Sequence, residues 1–152
     1  FATTLKIEQA IIKKDSLWKF YYEDGSLNSE GNFKNDLNHG LWKSFYPNGK
    51  LMMEENWVNG IQEGETRKYF EGGTLKAKGP MKEGLYEGKW TYYYESGKPK
   101  REGETKMGMP HGTWFYWNED GVVSQYGKYF ENNLKLLSIC WPNSRVGTKI
   151  TT

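Results

Sequence analysis

Residues 40–64 read GLWKSFYPNGKLMMEENWVNGIQEG, from Gly40 to Gly64, and this stretch decides the fold. Asn48-Gly49 lies between two runs rich in aromatic and aliphatic residues. Asn-Gly supplies the two positive-φ residues of a type I′ turn, so the stretch reads as a β-hairpin. Its punctuation recurs every 24 residues, as Asp24-Gly25, Asn48-Gly49, Gly72-Gly73, Ser96-Gly97 and Asp120-Gly121, all suited to a tight turn. Gly40, Gly64, Gly88 and Gly112 keep the same step and mark the hand-over between units. So do Trp18, Trp42, Trp90 and Trp114, with Thr66 in the third copy.

A fixed period of this size signals an array in which each unit buries apolar surface against its neighbours. The expected fold is all-β: an elongated, twisted antiparallel meander of successive β-hairpins with partial capping strands at both ends. Five copies, at 17–40, 41–64, 65–88, 89–112 and 113–136, hold two strands each. Residues 1–16 are expected to form an N-terminal capping strand, Thr3 falling under Leu27 and Ile7 under Gly31. Residues 137–152 are expected to form a C-terminal capping strand and tail, with Trp141 one period beyond Trp117. An uncapped edge strand invites aggregation, which is the reason to expect caps. Twelve strands at roughly 4.8 Å spacing give a ribbon on the order of 55 Å long.

A two-residue loop at each turn dipeptide pairs Tyr22 with Leu27, Tyr46 with Leu51, Phe70 with Leu75 and Tyr94 with Pro99. It also sets Lys19 opposite Glu30, Lys43 opposite Glu54 and Phe115 opposite Tyr126, while Arg67 meets Lys78 in conflict. Alternation then sorts the faces. The expected buried side collects Trp18, Trp42, Trp90 and Trp114 with Tyr22, Tyr46, Phe70 and Tyr94, and Leu27, Leu51, Leu75 and Val123 beside them. The other side carries the row Tyr21, Phe45, Tyr69, Tyr93 and Trp117, flanked by the Lys/Glu pairs, and is expected to be half wet.

Composition agrees. Hydrophobic residues are only 36%, yet aromatics reach 16% and glycine contributes 18 residues, which suits a thin sheet with wide rings and many corners. A net charge of +2 with both signs interspersed gives no basic stripe, so neither nucleic acid nor an anionic membrane is the expected main partner. The single Cys140 excludes an internal disulfide and a cysteine-based zinc cluster. No run is long enough to span a bilayer as a helix. Because the chain starts at Phe1 without methionine, export to the periplasm or cell surface is favoured over the cytoplasm as an expectation.

The pattern spelled by Gly88, Trp90, Tyr93, Tyr94, Gly97, Glu102, Gly103, Gly108 and Gly112 resembles the MORN repeat in its longer-spaced bacterial variant. The resemblance covers residues 15 to 135. Departures are local: Thr66 for Trp, Pro99 for an aliphatic residue, Asn118 for Tyr and Asn132 for Gly. It implies an elongated hairpin-built sheet that acts as a scaffold or binding surface without catalysis of its own, as a component or accessory of a larger assembly. It also implies, for bacterial members, envelope association or an antitoxin or immunity role, and for eukaryotic members a link to phospholipid membranes.

The residues that might carry chemistry have plainer readings. His39 and His111 share a phase before a corner glycine, too far apart to ligate one metal, and read as solvated turn residues. Glu30, Glu54 and Glu102 recur in register roughly 9–10 Å apart per period, at the edge of inverting glycosidase geometry. Repetition argues for architecture instead. Cys140 among Leu136, Leu137, Ile139 and Trp141 reads as a buried, inert thiol. No glycine-rich phosphate cradle is present, and neither cofactor nor metal is expected. What remains is the row Tyr21, Phe45, Tyr69, Tyr93, Trp117. Packed together, these rings merely stiffen the sheet; exposed, they suit a protein partner, with a glycan stacked on the rings as the alternative.

Overall fold

A computed structural model describes residues 15–130 and 133–138. Among these residues thirteen strand segments form one open antiparallel sheet. They are β1 (Leu17–Tyr21), β2 (Leu27–Lys34), β3 (Leu37–Phe45), β4 (Leu51–Val58), β5 (Ile61–Gln62), β6 (Gly64–Tyr69) and β7 (Leu75–Lys82). Then follow β8 (Leu85–Tyr86), β9 (Gly88–Tyr93), β10 (Pro99–Lys106), β11 (Met109–Trp117), β12 (Val123–Phe130) and β13 (Asn133–Ser138). Each pairs with its neighbours in sequence, β5 and β6 forming two pieces of one strand beside β4, and β8 and β9 likewise beside β7. The expected meander is therefore present. β13 pairs with β12, whereas residues 1–14 of the proposed N-terminal cap, Cys140, Trp141 and the tail lie outside the described residues.

The turn chemistry differs from the sequence expectation. At Asp24-Gly25 and its repeats only the glycine has positive φ, +85° at Gly25 and +78° at Gly49. The Gly25 N–H donates to Tyr22 O (3.0 Å) and the Tyr22 N–H to Ser26 O (2.8 Å). This is a three-residue loop: a type I turn closed by a left-handed glycine that forms a bulge. The bulge moves the register by one, so Tyr21 lies opposite Leu27, Phe45 opposite Leu51, Tyr69 opposite Leu75 and Tyr93 opposite Pro99. The expected Tyr22–Leu27 series is thus corrected. A second bulge, which leaves Asn28, Met52, Lys76 and Ser124 unpaired, restores the expected register, with Lys19 opposite Glu30, Lys43 opposite Glu54, Arg67 opposite Lys78 and Phe115 opposite Tyr126.

The type I′ turns sit at the other ends of the strands. Asn35-Asp36, Asn59-Gly60, Glu83-Gly84 and Met107-Gly108 all have two successive positive φ angles. They close two-residue loops between Lys34 and Leu37, Val58 and Ile61, Lys82 and Leu85, and Lys106 and Met109. Each lies between one hairpin and the next. Gly40, Gly64, Gly88 and Gly112 instead absorb positive φ inside the following strand, where the register slips, as between Gly31/Trp42 and Asn32/His39.

Burial centres on the indoles. Trp42, Trp90 and Trp114 are buried, while Trp18 is half-buried near the first edge. Each buried ring lies flat across the preceding strand on a glycine: Gly31 under Trp42, Gly79 under Trp90 and Gly103 under Trp114. A Cβ on Gly79 would fall 2.4 Å from the Trp90 ring. The indole N–H then donates to the carbonyl one residue on, from Trp42 to Asn32 (3.0 Å), Trp90 to Pro80 (2.9 Å) and Trp114 to Glu104 (2.9 Å). Burying about 150–250 Å² per ring corresponds to a gross gain of about 4–6 kcal/mol each. Ala77, Met81, Tyr86, Tyr92, Tyr116 and Tyr129 pack around Trp90 and Trp114.

The junction of the second and third units lacks both members of the device. Glu55 stands where the glycine would be and Thr66 where the indole would be. Thr66 is buried, and Glu55 is half-buried, accepting a hydrogen bond from the Gln62 amide. Burial pushes the Glu55 carboxyl above its ordinary 4.5, against the opposing pull of Lys68. A polar cluster therefore divides the ring cluster of Trp18, Phe20, Phe33 and Trp42 from that of Tyr86, Trp90, Tyr92, Trp114 and Tyr129.

Candidate partner-binding face

Each residue of the predicted row is the last of its strand: Tyr21 of β1, Phe45 of β3, Tyr69 of β6, Tyr93 of β9 and Trp117 of β11. Strand pairing carries them side by side across the sheet, immediately before the three-residue loops. Tyr21 is 61% exposed, and the other four are half-buried. The backbone of three of them is held from the next-door unit. The Tyr22 hydroxyl donates to Phe45 O (2.7 Å), Tyr46 to Tyr69 O (2.7 Å) and Tyr94 to Trp117 O (2.8 Å). Phe70, at the same phase, has no hydroxyl to give the Tyr93 carbonyl.

Charge and rings mix on this face, as alternation predicts. Lys19 pairs with Glu30 (3.3 Å) and Lys89 with Glu102 (3.0 Å). The Tyr69 hydroxyl donates to Glu54 Oε2 (2.8 Å), and burial together with that carboxylate raises the tyrosine's pKa. Arg67, which faces Lys78, also lies beside Glu54 and bonds Glu65 (2.6 Å), which relieves the like-charge conflict. The three recurring glutamates are thus each engaged by a different neighbour. Phe115 packs between Trp117 and Tyr126, at 6.1 and 6.2 Å between ring centroids.

The histidines are strand residues, not turn residues. His111 is exposed, whereas His39 is half-buried with an enclosed, unbonded Nδ1. Their phase explains them. At that phase Asp15, Glu63 and Glu87 accept the first amide of the type I′ turn twenty residues on, from Asn35 (2.5 Å), Glu83 (2.9 Å) and Met107 (2.8 Å). His39 occupies this anchoring position for the Asn59-Gly60 turn. Among the described residues no three His, Cys, Asp or Glu side chains cluster so as to hold a metal ion.

Concavities are shallow. Two, of about 300 and 430 Å³, are lined by carboxylates and cations together, including Glu54 with Arg67, and Glu102 with Lys89. A third, of about 650 Å³, lies beside the loops and differs: its lining includes Lys76, Lys100 and Arg101 among rings, with Tyr93 and Trp117 of the row, and no carboxylate. Sequence reasoning missed this cluster because it weighed charge along the chain. The available signal was Lys76 and Lys100 at one phase, followed by Arg101.

The profile of the MORN repeat variant matches residues 14–35, 38–59, 62–83 and 86–107, each match running from a first strand into a type I′ turn. The hairpin of β11 and β12 continues the same pairing as a fifth unit. Among curated proteins none matches the chain. With four matched repeats in phase with the observed hairpins, the chain belongs to the MORN repeat family, as a member of its variant form.

Proposed function

We propose that this repeat module is a non-catalytic binding protein whose partner is another protein, received along the row Tyr21, Phe45, Tyr69, Tyr93 and Trp117. The observation that carries the reading is the placement of that row at five successive strand ends, its carbonyls at Phe45, Tyr69 and Trp117 fixed by tyrosines of the adjoining unit. Rings carried on backbone fixed in this way are presented at set positions, and aromatic side chains have few torsions to freeze, which favours them as contacts. The mixed salt bridges beside the row supply a polar rim. The shallow concavities suit surface complementarity and give no enclosed volume in which reacting groups converge.

The test compares the immobilised chain with its Tyr69→Ala/Tyr93→Ala variant for quantitative retention of proteins from extract of the source cells, with circular dichroism as the fold control. Retention should fall in the variant; equal retention removes the row from the site. Regularly spaced rings also suit pyranose stacking, the second reading. Co-sedimentation with insoluble cell-wall glycan would support it, and a chain that stays in the supernatant would remove it.

A further inference from the structure

The groove beside the third, fourth and fifth loops gathers three cations, each set over a ring. Lys76 Nζ stands 5.4 Å from the Phe70 ring centroid and Lys100 Nζ 5.2 Å from that of Tyr94. The Arg101 guanidinium lies 4.1 Å from the Tyr92 centroid and 5.8 Å from that of Trp114. Among the described residues no carboxylate comes within ion-pairing distance of any of the three, although Lys19, Arg67 and Lys89 each have one. The rings preorient the cations without neutralising them. Electrostatic complementarity therefore calls for an anionic occupant.

Spacing narrows its kind. Lys76 and Lys100 are one period apart, two strands across the sheet, or roughly 9–10 Å. A polyproline-type chain advances about 3.1 Å per residue with three residues per turn, so side chains three residues apart share one side and match that interval. A nucleic-acid strand carries charge at every nucleotide and is met by a continuous basic track. Here the phase of the two lysines holds Asn28, Met52 and Ser124 in the other copies, so the track ends after two steps.

We propose that this groove takes an acidic, extended segment of the protein partner, with carboxylates three residues apart meeting Lys76 and Lys100 and apolar residues between them lying on Phe70 and Tyr94. The inference rests on the protein-binding reading above and names the chemistry of the partner. Arg101, half-buried between Tyr92 and Trp114, reinforces the positive potential of the floor.

Fluorescence anisotropy of a labelled peptide of Glu-Pro-Pro repeats, set against a Gln-Pro-Pro peptide of equal length, tests it. The Glu peptide should bind at least about tenfold more tightly, with affinity falling as salt rises. Lys76→Gln with Lys100→Gln should weaken binding at least about tenfold. Lys82→Gln with Lys106→Gln, which removes the same charge at the type I′ rim, should leave it within about twofold. Equal losses from the two double variants would mean that net charge alone attracts the peptide, and would overturn the proposal. So would equal binding of the two peptides, or binding of an oligouronate where the Glu peptide shows none. If the peptide fails while retention of cellular proteins still depends on Tyr69 and Tyr93, the groove assignment falls and the protein-binding reading stands. The converse pattern removes the row and keeps the groove.

Discussion

Replacing Gly79 by alanine tests the central packing device directly. Gly79 does not have positive φ, so alanine meets no backbone penalty there; in an otherwise tolerant strand it would gain about 0.5–1 kcal/mol over glycine. The new Cβ would fall 2.4–2.6 Å from three atoms of the Trp90 ring. Ordinary contact needs about 1 Å more, and a gap of that size forfeits a quarter to a half of the attraction beneath the ring. Lifting the ring also strains the Nε1–Pro80 O bond, worth about 0.5–1.5 kcal/mol. Overpacking of this kind costs about 1–3 kcal/mol, so Gly79→Ala should destabilise by about 2 kcal/mol net. With Trp90→Thr the obstacle is gone, as in the native Glu55/Thr66 pair, and the same change should be neutral or slightly stabilising. Urea midpoints for the two single variants and the double variant, compared at unchanged m-value, give the coupling. If the effects add to within about 0.5 kcal/mol, the glycine does not serve the indole and the reasoning fails.

Three further changes are expected to move stability in defined directions. Phe70→Tyr supplies the missing hydroxyl for the Tyr93 carbonyl and should raise the urea midpoint by about 0.5–1.5 kcal/mol equivalent; a lowered midpoint would show that the site cannot seat it. His39→Glu restores the carboxylate that elsewhere anchors a type I′ turn and should slow amide exchange at Asn59, with unchanged exchange counting against the anchoring role. Glu55 has a folded-state pKa above its ordinary 4.5, so the native state binds more protons than the unfolded state just above that pH. Its contribution is therefore most favourable below 4.5 and is lost as pH rises through the raised value. Glu55→Gln should flatten that part of the stability profile and raise stability at neutral pH, and an unaltered slope would refute the assignment.

How much of this was legible differs between the faces and the turns. Period and alternation depend only on residue spacing, so the meander and the indoles' shared side follow from the sequence; Leu27, Leu51, Leu75 and Val123, expected beside the indoles, instead lie opposite the row, because the bulge changes their face. Turn type does not, because Asn-Gly suits both a type I′ loop and a type I turn closed by a left-handed glycine. At Asn48-Gly49 the longer loop forms, and Asn48 Oδ1 accepts the Lys50 N–H (2.9 Å) to cap it. At Asn59-Gly60 the same dipeptide forms the two-residue loop. The flanking residues decide between them: Val58 and Ile61 pair directly, while Tyr46 is held by Lys50 O (2.8 Å) across the wider loop. The groove cations were illegible for another reason. Their significance lies in the carboxylates that do not face them, which depends on the register and on the face each residue takes at a bulge.

The third unit separates what sets the register from what supplies stability. It has Thr66 in place of the indole, and the strand before it has Glu55 in place of the glycine, yet Met53 still pairs with Lys68 and Glu54 with Arg67. One period on, where Trp90 and Gly79 are intact, Ala77 pairs with Tyr92 and Lys78 with Thr91 at the same positions. The break in the strand is bridged alike in both, by Glu63 N to Asn56 O (2.9 Å) and Glu87 N to Pro80 O (3.1 Å). Turns and backbone bonds therefore fix the register without the ring, and the ring adds burial on top of it. In an array stabilised by nearest-neighbour terms, that division leaves single positions free to change without disturbing the units on either side. The lysines at the bulge of the third and fourth loops occupy such positions: a phase filled by Asn28, Met52 and Ser124 elsewhere can carry charge here because nothing in the scaffold depends on it.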